Sequence, residues 1–341
     1  MVVYLGKKPV GVTKIVKQAV DKTKFGVSID DIFGNVDENG AYVAPTEPFV
    51  VNLSGVKSPS RTYMMAYKFM HNNAIKGVVA EDFVDCNGWP ATFYNMCTGS
   101  ESVEYIRIPN LKTAKATTFA YMGQDCPNLR EVDISGLEEG ERGALSYAFE
   151  GSGLEGVFDL HRVRSLETAF NSWQNAFDST KITGILLDCL EEAVFRATFV
   201  RITTMEKIYF PSLTGISSDS FASSSSTTKA FNNNTGLKEI HFRTDVQALV
   251  EATNQYASKW GASNATIYYD LIASITVGGI VYSRNERNSL WTGKTKNFVA
   301  WNDGSDNIIY TDYTGNTEPA VGTVVYSDSG TTQVGTVEAV A

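Results

Sequence analysis

Positive charge is in short supply in this chain. Twenty-nine Lys and Arg stand against 38 Asp and Glu, giving a formal net charge of −9 and a pI near 5.0. Binding to phosphate backbones relies on clustered Lys and Arg that release counterions. No such stripe occurs, so no nucleic-acid partner is expected. Histidine is scarcer still: His71, His161 and His241 lie far apart in sequence. The four cysteines, Cys86, Cys97, Cys126 and Cys189, form no CxxC pair and have no histidine at metal-ligand spacing, so no metal and no cofactor is expected. They read as small apolar residues of a reduced chain, with a Cys97 to Cys126 bridge as the alternative, and no neighbour offers a reason for an activated thiol.

Catalytic signatures are missing as well. There is no Ser, His and Asp set, no Walker loop and no dinucleotide fingerprint, and the Gly151 to Gly153 stretch lacks the remaining glycine spacing. Carboxylates cluster at Asp30-Asp31, Glu138-Glu139-Glu141 and Glu191-Glu192. A glycosidase needs two acids facing one cleft, whereas strand neighbours point to opposite faces and the Glu138 group sits in a Gly-flanked stretch that reads as a loop. These clusters read as solvated charge, and no catalytic residue is assigned. Asn302 to Asn307 has the composition of a calcium loop but not its order. It reads as a hairpin turn between Phe298–Trp301 and Ile308–Tyr310.

Long apolar runs are absent too. No window reaches the length of a membrane-spanning helix, and lysines interrupt each apolar stretch of MVVYLGKKPVGVTKIVKQAV. Neither membrane insertion nor a standard secretory signal is expected.

What is abundant is core-forming material: 43% hydrophobic against 20% charged residues, with a mean hydropathy of −0.14. It is arranged as a repeat. A nine-residue phrase begins at Ile75, Val103, Leu129, Glu155, Ile182, Met205 and Leu237, at spacings of 28, 26, 26, 27, 23 and 32 residues. Its best copies are LREVDISGL, ITGILLDCL and MEKIYFPSL, with apolar first, fourth, sixth and ninth positions. The middle pair has strand spacing, and the outer pair closes a ring of anchors. The fourth copy, EGVFDLHRV, lacks its first anchor unless Leu154 takes that place. A second signal runs in phase: Phe69, Phe93, Phe119, Phe149, Phe177, Phe199 and Phe231 each precede a phrase. Stacked at one position per coil, these rings predict an aromatic ladder opposite the strands.

The period falls in the leucine-rich-repeat range. The expected fold is β-rich α+β: a leucine-rich-repeat-type solenoid of about seven irregular coils with a capping helix, between a small N-terminal β-rich module and a C-terminal β domain. The corresponding divisions are 1–60, an attachment module; 61–262, the solenoid and its capping helix; and 263–341, a small β-sandwich or barrel. Within the first, Asn39-Gly40 is a hairpin signal, Val2 to Leu5 a short strand and Gly6 to Pro9 a turn. Near the end of the second, Thr244 to Gln247 reads as a capping box. Val246, Leu249, Val250, Ala257 and Trp260 fall on one helical face behind it, and Gly261 stands at a left-handed C-cap.

The third, fifth and seventh phrase positions point away from the core. They supply the candidate binding residues Tyr105, Arg107, Glu131, Asp133, Asp159, His161, Lys207, Tyr209, Glu239, His241 and Arg243. With strands about 4.8 Å apart, seven coils would make a face roughly 30 Å long, mixing aromatics with both charge signs as recognition surfaces do.

Ala148-Phe149 and Ala230-Phe231, the LxxIxF patterns and Pro211 to Leu213 resemble the BspA-like subclass of leucine-rich repeats across about 61–245. The layout of short leading module, solenoid and trailing β module resembles bacteriophage tail and fibre proteins, and VVYLGKKPVGVTKIV is similar to their openings. This resemblance implies a non-enzymatic virion protein of the tail or an appendage, assembled in the host cytoplasm. Its partners would be other virion proteins through the N-terminal module and a host-surface protein or glycan, with a homo-oligomer by analogy. A bacterial surface adhesin is the alternative, and a tail-associated polysaccharide depolymerase a more distant one.

Overall fold

The computed structural model describes residues 43, 46–167, 172–217, 220–221, 229–252, 257–285, 298–305, 307–313, 317–327 and 332–341, with the backbone alone at 3–5, 8–10, 26–27, 290–292 and 295–297. The chain is β-rich with almost no helix, and its central part is a solenoid-like stack of about eight turns.

Each turn has three sides. The first is a parallel strand ladder. Gly26–Val27, Phe49–Asn52, Ile75–Val79, Tyr105–Arg107 and Glu131–Asp133 form one sheet. Glu155–Asp159 pairs with Lys181–Leu186, and Lys207–Phe210, Glu239–Arg243 and Thr266–Leu271 form a third group. Successive copies pair position for position, as in Ile106 with Val132 and Ile208 with Ile240, because register is fixed wherever one face is buried.

The second side is shorter. Thr113–Ala114, Glu139–Gly140 and Ser165–Leu166 pair in parallel, and single bridges continue the line to Glu192 and Gly215. The Glu138 group therefore lies in and beside a ladder strand and not in a free loop. Coil stacking brings Lys112 and Arg164 to Glu138 at 3.7 and 3.9 Å, and Lys115 to Glu141 at 2.5 Å.

The third side consists of consecutive turns in which every fourth residue is left-handed, as at Tyr63, Tyr67 and His71 or at Thr117, Tyr121 and Asp125. This conformation aims alternate amides in two directions. The Tyr121 N–H donates to Ser146 O of the next coil at 3.0 Å, while the Met122 N–H donates back to Phe119 O at 3.1 Å. Backbone groups are thus paired without strand or helix.

Inside, the anchors of every phrase join one continuous core running from Phe49 to Ala262. All seven phase-locked phenylalanines are fully buried. Phe93 stacks on Phe119 at 5.9 Å, Phe177 on Phe199 at 6.1 Å, and Phe199 on Phe231 at 5.3 Å. Leu154 does replace the missing anchor of the fourth copy: it is buried, and a bulge at Gly156/Val157 adjusts the register.

Several expectations need correction. The ladder extends past 61–262 on both sides, through Phe49–Asn52 to Gly26–Val27 and through Thr266–Leu271. The first carries its anchors Phe49, Val51, Leu53 and Val56 at shifted spacing around a bulge. Lys8 and Pro9 are in a strand that pairs antiparallel with Val3–Leu5, and not in the turn. The capping box does not form. Thr244 lies inside a 3-10 turn, Thr244–Val246, preceded by extended Arg243 with no side-chain cap, and Gln247 donates forward to Glu251 at 2.9 Å. Among the described residues the α-helix is Gln247–Ala252. Val246 and Val250 are buried, while Leu249 is exposed. Gly261 has the expected positive φ of 88°, and a Cβ there would sit 2.8 Å from Asn232 Cα. All four cysteines are buried free thiols; Cys126 Sγ donates to the Cys97 carbonyl at 3.0 Å. The Asn39-Gly40 hairpin and Asp30-Asp31 lie outside the described residues.

After Leu271 the chain forms an antiparallel sheet of eight strands with its own core of Ile275, Val277, Tyr282, Val299, Trp301, Ile309, Tyr313, Val325 and Val337. Thr295–Asn302 and Ile308–Asp312 pair antiparallel, and Asp303 N–H donates to Asn307 O at 3.4 Å in the turn between them. Thr332–Thr336 and Ala339–Val340, two residues apart in sequence, lie at opposite ends of the strand order, so the sheet curls back on itself.

Candidate functional site

Ten of the eleven candidate residues lie on the parallel strands and His161 follows Glu155–Asp159 in a turn, and the structure sorts them into three clusters. Toward the N-terminal end, Arg107 reaches Glu131 of the next coil through Nε at 2.8 Å and Nη2 at 3.1 Å. Its guanidinium lies 4.8 Å from the Tyr105 ring centroid, and that ring covers Gly77, where a Cβ would come within 2.4 Å. The hydrogen bonds to Glu131 raise the Arg107 pKa still further. Asp133 is buried because its carboxylate folds back onto its own loop, accepting from Ser135 Oγ at 2.7 Å.

In the middle, Asp159 and His161 are both buried, with Oδ1 and Nδ1 2.5 Å apart. The same Oδ1 accepts from the His161 N–H at 3.2 Å. Side chains here turn onto the strand end, an arrangement that alternation along a strand does not encode; Asp133, Asp159 and His161 are buried, as are Arg107 and His241, so five of the eleven lack the solvent exposure expected of them.

The third cluster is the most organised. His241 is sandwiched between Tyr209 and Tyr268, with ring centroids at 4.5 and 4.9 Å and interplanar angles of 17° and 12°. Its Nδ1 lies 2.8 Å from Asp270 and its Nε2 3.1 Å from Glu239. Lys207 reaches Glu239 at 2.5 Å. Burial alone would raise the Glu239 pKa, but hydrogen bonds from Lys207 and His241 more than reverse it, leaving it below the ordinary value. Burial pushes the Tyr209 hydroxyl up to about 12. Arg243 pairs with Asp245 at its end of the face. Tyr268 and Asp270 belong to a strand that lies beyond the last phrase copy, which is why the phrase did not reveal them.

A second surface went unnoticed in the sequence. On the turn side the rings of Tyr63, Tyr67, Tyr94, Tyr121 and Tyr147 make a continuous row. Tyr94 contacts Tyr63 at 6.2 Å, Tyr67 at 5.4 Å and Tyr121 at 5.6 Å, and Tyr121 stacks on Tyr147 at 4.9 Å and 3°. Tyr63 and Tyr67 are each 54% exposed, and the other three are half-buried. Beyond the row, Gln174 Nε2 donates to Tyr147 Oη at 2.5 Å. Arg201 grips buried Asp178 with two bonds of 2.8 and 2.7 Å.

Four of these tyrosines are left-handed, with φ of 57°, 60°, 58° and 55° at Tyr63, Tyr67, Tyr121 and Tyr147. In other coils the column of Tyr67, Tyr121 and Tyr147 holds Asn95 and Asn175, residues that tolerate this region better. A bulky left-handed residue costs roughly 1–2 kcal/mol, and an aromatic pair returns about 0.5–1.5 kcal/mol. The two nearly cancel, so stability alone does not explain the tyrosines, and strained residues of this kind gather at functional sites.

The chain matches no protein-family model, no curated protein and no solved structure. Among the described residues no group of His, Cys, Asp and Glu could hold a metal ion, and no helix is long and apolar enough to cross a membrane.

Proposed function

We propose that the chain is a non-enzymatic recognition scaffold of a bacteriophage virion, carried on the tail or an appendage, whose solenoid presents its side-chain columns to a host-surface or virion partner. The observation that carries this reading is the Tyr209–His241–Tyr268 column beside Lys207, Glu239 and Asp270. Stacked aromatics bordered by paired charges of both signs, held on a continuous core, have the make-up of an interaction surface. We read the coils as BspA-like leucine-rich repeats and Gln247–Ala252 as the capping helix. We read the stretch that precedes the ladder as the attachment module and the curled C-terminal sheet as a flanking domain. The resemblance of the Ala-Phe and LxxIxF patterns to adhesin repeats supports a bacterial surface adhesin as the second reading. Mass spectrometry of purified particles from the host culture separates them. Peptides of this chain in the virion fraction support the first, and their confinement to the cell envelope supports the second.

A further inference from the structure

Resting on the recognition-scaffold reading, we propose that the tyrosine row of the turn side is a saccharide-binding strip. It takes an extended chain of uncharged sugars laid along the solenoid axis, about one sugar per coil. Ring-to-ring steps of 5.4, 5.6 and 4.9 Å follow the coil repeat, and that repeat is close to the length of one sugar unit in an extended chain. The row is a single ring wide and three coil steps long, about 15 Å at the strand spacing. Such a strip falls far short of the roughly 800 Å² that each partner buries in a standard protein interface; a narrow linear ligand matches it.

Amides sit beside the phenol hydroxyls: Asn95 shares the left-handed column, and Gln174 bonds Tyr147. Because Tyr147 Oη accepts from Gln174, its own proton remains to donate to a ligand. The bordering charges are already engaged: Glu150 accepts from Gln124 at 2.8 Å, and Asp178 holds Arg201 in a two-pronged pair. Glu150 and Arg196, of opposite sign, both act on Tyr147, so the inner rings face no excess of positive charge that would select a sugar carboxylate or phosphate. The exposed rings of Tyr63 and Tyr67 supply apolar faces for sugar C–H groups, and the interlocked inner rings are fixed before binding, which lowers the ordering cost.

The test is affinity electrophoresis of the full chain through gels containing dextran, mannan, galactan or a cellulose-type β-glucan, with heparin as the anionic comparison. The expected result is retardation by at least one neutral polymer. Retardation should fall at least about tenfold in affinity in the double variant Tyr67→Asn/Tyr121→Asn, while its circular dichroism and melting remain those of the parent. Asn already occupies this column at Asn95 and Asn175, so the double variant is expected to fold, which the circular dichroism and melting check. Tyr147→Phe, which keeps the ring and loses the hydroxyl, is expected to fall between the two. Absence of retardation by every neutral polymer, equal binding by the double variant, or salt-sensitive retardation by heparin alone would each overturn the assignment. Virion mass spectrometry reads a different property, so a failure of either idea leaves the other distinguishable.

Discussion

Replacing Phe177 with Ala removes one rung from the interior ladder. The side chain is fully buried and touches Phe158 at 4.8 Å, Phe149 at 5.9 Å and Phe199 at 6.1 Å. A buried Phe→Ala change typically costs about 3–5 kcal/mol through lost transfer energy and the cavity left behind. With ring partners on both neighbouring coils, Phe177→Ala should fall in the upper part of that range, about 4 kcal/mol. Phe177→Leu keeps most of the volume and should cost less than about 1.5 kcal/mol. Because each coil packs only on its neighbours, the damage should be local. The amides of Phe149, Phe177 and Ser179 donate across this junction to Ala176, Thr198 and Val200. Their hydrogen exchange should accelerate roughly a thousandfold if the full cost appears in local opening. The Met65 and Phe69 amides, which bond to Thr92 and Met96 three coils nearer the start of the stack than Phe149, should change far less. Urea unfolding gives the energy and exchange mass spectrometry the location. A cost below about 1.5 kcal/mol, or equal acceleration in every coil, would refute the ladder as the source of coil-to-coil stability.

Acidification should weaken the Lys207–Glu239–His241 cluster. The Glu239 pKa is lower in the fold than its ordinary 4.5, so its contribution is present above 4.5 and is lost as the pH falls through the folded value. Lys207→Met should flatten that part of a stability-against-pH curve; an unchanged curve would count against the pairing. At the alkaline end the Tyr209 pKa, raised from 10.0 to about 12 by burial, should cost stability as the pH rises across that window. Ultraviolet titration of tyrosinate in the parent and in Tyr209→Phe would detect it. Burial pushes the Cys97 thiol well above its usual value and Cys126 to about 12, so aromatic disulfide reagents should modify them only after urea unfolding; rapid labelling of the folded chain would contradict their placement. In the C-terminal sheet, Arg284 is buried against Glu318 at 2.8 Å and lies over the Trp301 and Tyr313 rings. Arg284→Met should cost about 2–3 kcal/mol, less than a fully buried pair because Glu318 keeps some water; thermal melting would show it.

The interior was legible in the sequence because burial constrains residue type. Apolar positions one, four, six and nine, and a phenylalanine in phase with them, survive in nearly every copy, and they become the core and its ring ladder. Where the spacing itself changes, the pattern fails: a bulge shifts the anchors of the coil at Phe49, and the strand Thr266–Leu271 carries no complete phrase. The strand face was readable as to which side each residue takes, as Lys207, Tyr209, Glu239 and His241 illustrate. It was not readable as to burial, since Asp133 and Asp159 turn back to accept from the Ser135 and His161 backbone amides. The tyrosine row escaped for a different reason. Left-handed turns are normally signalled by Gly and Asn, and here bulky residues occupy them. Tyr94 is also one position out of step, preceding the left-handed Asn95 of its coil, so no fixed period connects the five rings.

Electron microscopy of particles labelled with an antibody against this polypeptide tests the account most directly. Regular label on the tail or its appendages is the predicted result, and host-adsorption assays would then follow the same site. Particles that carry no label, while the antibody decorates the bacterial envelope, would contradict the virion assignment.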